Sequence, residues 1–162
     1  MTVQLEGVLA DRDSWRADRC SVARALDVVG TRSAMLLLRE AYYGGRRFDD
    51  LARRVGITET VAAARLRELV DAGLLVKEPY REPGQRTRHE YVLTPMGRDL
   101  LPAVIGLMQW GDRWLQGERG PGIALQHVGC GAQVGVEIRC TAGHPVPSRE
   151  IAAVAVRERR PR

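Results

Sequence analysis

Lysine is nearly missing from this chain: of its 25 lysine and arginine residues, Lys77 alone is a lysine. No glycine-rich loop ends in a lysine, so phosphate binding of the nucleotide-hydrolase kind is excluded. Arginine carries the positive charge instead. Its planar fork suits phosphate oxygens and guanine edges better than an ammonium does, although plain compositional bias produces the same skew, so arginine usage alone decides nothing. Cysteine is scarce too. Cys20, Cys130 and Cys140 are too few and too scattered for a secreted disulfide framework, and a reducing cytosol is the expected setting. No long uninterrupted apolar run is present, and the N-terminus (MTVQLEGVLADRDSW) lacks a basic start followed by a greasy segment. The protein is therefore expected to be cytoplasmic and soluble, with no membrane partner. A nucleophile elbow, paired acids in an obvious cleft, internal repeats and low-complexity tracts are all missing, and an enzyme is not expected.

What is present suits one compact domain with room for an appendage: 162 residues, 44% of them hydrophobic. The net charge of +5 and a pI near 9.6 permit a polyanionic partner without demanding one. Residues 1–19 read as a charged arm in which Val8, Leu9 and Trp15 are the main apolar groups. Ser21 can cap a short amphipathic helix carrying Val22, Leu26 and Val29, with Gly30 as its stop. The segment 32–43, with Met35 to Leu38, Ala41 and Tyr42, has so thick an apolar face that it belongs at the centre of a helical core.

Residues 46–94 form the stretch on which the rest is organised. Phe48, Leu51, Ala52 and Val55 recur at helical spacing, and Gly56 stands where a tight helix-helix turn needs positive φ. Thr58 can cap a further helix running to about Ala72, with Val61 or Ala62, Leu66, Leu69 and Val70 inward. After Gly73, strands from Leu74 and from Arg88 flank a turn bearing Pro83 and Gly84, which makes a β-hairpin. Helix, turn, helix and hairpin in this order read as a winged helix-turn-helix, which lays one helix in a major groove and rests its wing on the adjoining backbone or minor groove.

Thr94-Pro95 supplies an N-cap and a favourable first helical residue for a long helix of about 95–115. Val104, Met108 and Leu115 lie on one stripe of it and Leu100, Leu107, Trp110 and Trp114 on another. Two apolar stripes argue for a homodimer interface, unless the C-terminal tail covers the second. Gly117 to Gly122 is a linker by composition; beyond it 123–128, 134–140 and 151–156 are expected as three short strands, and 157–162 as a disordered basic tail. The predicted class is α+β, mainly α: a winged helix-turn-helix with a long C-terminal dimerisation helix and a small β-rich tail. Its parts are an N-terminal arm at 1–19, the DNA-binding domain at 20–117 and the extension at 118–162.

The words CSVARALDVVG, LLLREAYYGGRRFDDLARRVGI, RLRELVDAGLL and YVLTPMGRDLLPAV occur in that order and together cover roughly Cys20 to Trp114. In them the chain resembles the HxlR-type family of bacterial winged helix-turn-helix transcriptional regulators. The resemblance implies a cytosolic homodimer on a palindromic operator, with the long helix and the first helices making the dimer interface. A departure lies in the recognition helix, where Val61-Ala62-Ala63-Ala64 replaces the polar residues that similar proteins often carry. Small residues allow close approach and thymine-methyl contact but read few hydrogen-bonding edges, which leaves discrimination to the neighbouring polar residues or to DNA shape.

The expected DNA-facing set is Arg46, Arg47, Thr58, Thr60, Arg65, Arg67, Arg81, Arg86 and Arg88. Each taken singly could equally be a solvated surface residue; taken as a set on one side of the motif they point to double-stranded DNA. The acids Asp49, Asp50, Glu59, Glu78 and Glu82 temper the field. Cys20, at the start of the first helix, has two readings: a small buried packing residue, or, by the resemblance, a redox or electrophile sensor. A redox or small-molecule effector stays open on that account. His127, Cys130, Cys140 and His144 have a spacing a tetrahedral zinc could use, set against a small unit that holds no metal; no metal or other cofactor is expected. The glycines at 129, 131 and 135 have the wrong spacing for a dinucleotide fingerprint and read as turns. The functional expectation is a sequence-specific DNA-binding regulator, a repressor or autoregulator acting as a homodimer on an inverted repeat. The alternative is a protein-interaction or ligand- and redox-sensing module that uses the winged helix to dock a protein.

Overall fold

Helix α2 (Arg32–Tyr42) is the element against which the others pack, and its sequence explains why. Ala34, Leu37, Leu38 and Ala41 recur at three- and four-residue intervals and are all buried, Leu37 and Leu38 completely. Thr31 caps it, accepting a hydrogen bond from the Ala34 amide at 3.2 Å. The computed structural model describes residues 3–14, 20–84, 86–115, 117 and 120–156. Trp15 and the expected basic tail at 157–162 lie outside them. The chain forms two compact units, one of Arg24–Gly135 and one that joins Met1–Ala23 with Val136–Arg162.

In the larger unit, α3 (Phe48–Val55) and α4 (Glu59–Asp71) pack on α2 through Leu51, Val55, Leu66 and Leu69. Each fully buried leucine contributes about 1.5–3 kcal/mol relative to exposure. Gly56 joins the helices with φ 71° and ψ 41°, left-handed values that cost a side chain but not a glycine. Thr58 caps α4, accepting from the Val61 amide at 3.4 Å. Strands β2 (Leu75–Tyr80) and β3 (Arg88–Leu93) form the antiparallel wing, in register from Leu75 opposite Leu93 to Tyr80 opposite Arg88. A bridge between Arg47 and Glu90, with the Tyr91 amide donating to the Arg46 carbonyl at 2.9 Å, ties the segment before α3 to β3.

The long helix expected after the wing is broken in two. Helix α5 (Pro95–Asp99) and helix α6 (Leu101–Trp114) meet at Leu100. Pro102 has no amide to give the Arg98 carbonyl and its ring crowds that oxygen, so one continuous ladder cannot form there. Thr94 caps α5 at 3.1 Å through the Gly97 amide while its hydroxyl donates to the Gly73 carbonyl at 2.6 Å. Gly97 is required because a Cβ there would run into the Leu74 carbonyl oxygen. Not one residue of α6 is fully buried.

The expected tail strands are a second correction. Among the described residues beyond 115 only β4 (Ala152–Ala153) is a strand; two isolated bridges, Gln126 with Gln133 and Arg139 with Pro145, close turns. Apolar runs punctuated by glycine and proline have no neighbouring strand long enough to pair with. In the smaller unit β4 pairs in parallel with β1 (Gln4–Leu5). Helix α1 (Ser21–Val29) buries Val29 in the core but leaves Val22 and Leu26 more than half exposed. No helix among the described residues is long and apolar enough to cross a membrane.

Candidate nucleic-acid interface

Burial of Ala62, Leu66 and Leu69 turns the opposite side of α4 to solvent. At 100° per residue, Thr60, Ala63, Ala64 and Arg67 fall on one stripe of that side, with Glu59 and Glu68 to either flank. Thr58, Thr60 and Arg67 are exposed and the two alanines half-buried. Thr58 spends a lone pair on the cap, but its O–H is still a donor for a phosphate oxygen. Val61, offered by the sequence as an inward position, is 41% exposed; Ala62 takes the core position instead. The stripe therefore has a floor of methyl groups between a threonine and an arginine. Such a surface lets the backbone come close to a groove and supplies few hydrogen bonds.

The arginines differ in exposure. Arg67, Arg81, Arg86 and Arg88 are exposed, the last three on or beside the wing turn. Arg46, Arg47 and Arg65 already meet carboxylates of their own chain. Arg65 Nη1 lies 2.5 Å from Glu68 Oε2, one turn along α4. Arg46 Nη1 lies 3.2 Å from Glu90 Oε1. Arg47 reaches Glu82 at 3.5 Å and Glu90 at 3.8 Å, and its guanidinium carbon stacks 3.1 Å from the centroid of the Tyr80 ring. Tyr80 and Glu90 were not singled out in the sequence, where their only signal is the hairpin register that puts both on one face of the wing. Surface pairs of this kind contribute about 0–1 kcal/mol each to stability.

Two tyrosines stiffen the base of this surface. The Tyr42 hydroxyl donates to the Gly97 carbonyl at 2.5 Å, and burial raises its pKa above the ordinary value. Burial also raises Tyr91, while the nearby positive charge of Arg67 pulls the other way. A cavity of about 350 Å³ is lined by Glu40, Tyr43, Arg46, Arg47, Asp50, Arg54 and Glu90. Its three acids and three arginines balance, and Glu40, at the buried end, is held by Arg39 at 2.5 Å.

The other sequence candidates fall elsewhere. Cys20 is half-buried just ahead of α1. His127 Nδ1 lies 3.2 Å from Cys130 Sγ, and Cys140 Sγ lies 3.6 Å from His144 Nδ1, each pair closing its own turn in a different compact unit. Among the described residues no three His, Cys, Asp or Glu side chains gather closely enough to hold a metal ion.

Known proteins share this arrangement. The HxlR-like helix-turn-helix family matches residues 28–119. The uncharacterised HTH-type transcriptional regulator Rv3095 of Mycobacterium tuberculosis is 45% identical over 139 residues, covering 85% of this chain and 87% of the relative. Among solved structures, PA1607, proposed to be a transcription factor, matches with a TM-score of 0.72 at 33% identity, over 81% of this chain and 91% of its own. The redox regulator HypR in its reduced form matches with a TM-score of 0.52 at 32% identity, over 58% of this chain and 94% of its own.

Proposed function

The chain belongs to the HxlR-like helix-turn-helix family of transcriptional regulators, and from that premise we propose that it acts as a homodimer on an inverted-repeat operator. The observation that carries the DNA half of this reading is the exposed stripe Thr60, Ala63, Ala64 and Arg67 on a capped helix beside an arginine-bearing wing. Helix α4 enters the major groove with Thr58 and Thr60 leading; Arg67 supplies the one long donor of the stripe, and Arg81, Arg86 and Arg88 lie along the phosphates or the minor groove. With so few base-reading groups, affinity from one half-site is modest, and pairing two half-sites makes it useful.

The dimer half rests on α6. Leu107, Trp110 and Trp114, on one stripe of α6, are each more than half exposed, an apolar stripe that a monomer would leave in water. A second copy presenting the same face covers it by two-fold symmetry. Cys20 acts as a small packing residue in this scheme. Oxidation that releases operator from the native protein but not from Cys20→Ser would reverse that assignment.

Fluorescence anisotropy on the DNA upstream of its own gene tests the proposal. Binding should weaken steeply with salt, show an inverted-repeat footprint, and fall in the double variant Arg67→Ala/Arg86→Ala. Absence of binding at low salt, or indifference to both substitutions, would count against it. The methyl-floored stripe around Ala63 and Ala64 also favours a second reading, in which α4 docks a protein. A partner retained after nuclease treatment, together with no footprint, would select that reading.

A further inference from the structure

Arg47 looks at first like one more cation for the DNA, yet its surroundings suit another task. It sits immediately before α3, and its guanidinium is stacked 3.1 Å from the centroid of Tyr80, at the far end of β2. Glu82, in the wing turn, lies 3.5 Å from Nη2 as an ion pair, and Glu90, on β3, faces Nε at 3.8 Å. Arg46 fastens the same Glu90 from its other oxygen at 3.2 Å, and the backbone bridge between Arg47 and Glu90 anchors the group from which the side chain starts. One planar cation thus spans the segment before α3, both wing strands and the wing turn.

We propose that Arg47 is a positioning residue, a latch that sets the angle of the wing against α3 and α4 and does not itself bind phosphate. The inference rests on the DNA-binding reading above, because the angle matters only where wing and α4 engage one duplex. The geometry gives the reason. A guanidinium with a ring on its face and carboxylates at its edges would have to leave all of them to reach a phosphate, and the anions it left would then face that phosphate. Lysine cannot replace it: an ammonium neither stacks flat on Tyr80 nor serves two carboxylates from one plane. The wing arginines then meet the backbone at a fixed distance from α4.

Salt dependence separates a positioning residue from a phosphate contact. Operator affinity is measured from low to moderate salt for the native dimer and for Arg47→Ala, Arg47→Lys, Tyr80→Leu and Arg86→Ala. Arg86→Ala, which removes one phosphate contact from each subunit, should lower the log–log salt slope of the dimer by roughly 1.8. Arg47→Ala should weaken binding about three- to thirtyfold with the native slope, as expected for loss of a cation–π latch. Tyr80→Leu should do the same, Arg47→Lys should not rescue, and combining Arg47→Ala with Tyr80→Leu should add little. Hydrogen exchange of the β2 and β3 amides in the free protein should speed up in both Arg47→Ala and Tyr80→Leu. A slope lowered by about two units in Arg47→Ala, with Tyr80→Leu binding as the native chain does, would overturn the proposal. Unchanged exchange in both variants would do so as well. Salt-independent or undetectable binding by the native protein would instead strike the DNA-binding reading, while the exchange result would still report on the latch.

Discussion

Replacing Trp110 with alanine should convert the protein from dimer to monomer without unfolding it. Trp110 is 55% exposed, on the same stripe of α6 as Leu107 and Trp114, and no residue of that helix is fully buried. An indole has on the order of 200 Å² to bury, so covering the open half of Trp110 removes about 100 Å² from water and contributes about 2.5 kcal/mol at ~25 cal/mol per Å². A two-fold interface covers the ring twice. After allowance for what alanine retains, Trp110→Ala should weaken dimerisation by about 4 kcal/mol, or roughly a thousandfold in Kd. Sedimentation equilibrium over a wide concentration range reads that constant directly. The thermal midpoint of native protein should rise with concentration, and that of Trp110→Ala should not. A dimer constant within about threefold of native, or a native protein that stays monomeric at every concentration, would refute the reasoning that the exposed face of α6 is an interface.

Three further outcomes are expected. Thr58→Ala removes the cap on α4 and should cost about 1 kcal/mol of stability in urea unfolding, with a larger relative loss of operator binding because the frayed turn carries Thr60. Gly97→Ala places a Cβ against the Leu74 carbonyl and should destabilise by about 1–3 kcal/mol, read as a lower urea midpoint. Burial holds the Tyr42 phenol above its ordinary 10.0, so the folded chain keeps that proton after the unfolded chain has released it. Stability should therefore be flat in this respect below pH 10 and fall as pH rises through the folded-state pKa. Tyr42→Phe should be less stable at neutral pH, having lost the 2.5 Å bond to Gly97, but should show a shallower alkaline decline.

Much of the fold could be read before any coordinates because its signals are local. Gly56 between two apolar periodicities, Thr58 before one helix and Thr94-Pro95 before another each act within four residues. The structure puts a left-handed turn and two capped helices at those places. Pro102 is an equally local signal, and it breaks the long helix between Asp99 and Leu101. The tail carries no such local signal, since apolar residues between glycines make strands only when a partner strand exists at the right distance.

The candidate site divides along the same line. Which residues of α4 point outward followed from the burial of Ala62, Leu66 and Leu69, a pattern written every three or four residues. Which carboxylates Arg46 and Arg47 meet did not. Arg47 meets Tyr80, Glu82 and Glu90 only after the hairpin has closed in one register and β3 has bridged back to the segment before α3. The sequence by itself determined the helices, the turns and the side of α4 left open, because those depend on spacing along one chain. Tertiary structure alone decided the ion pairs of Arg46 and Arg47, because a guanidinium chooses its partner by distance in space, and carboxylates some thirty-five to forty-five residues away arrive there through packing.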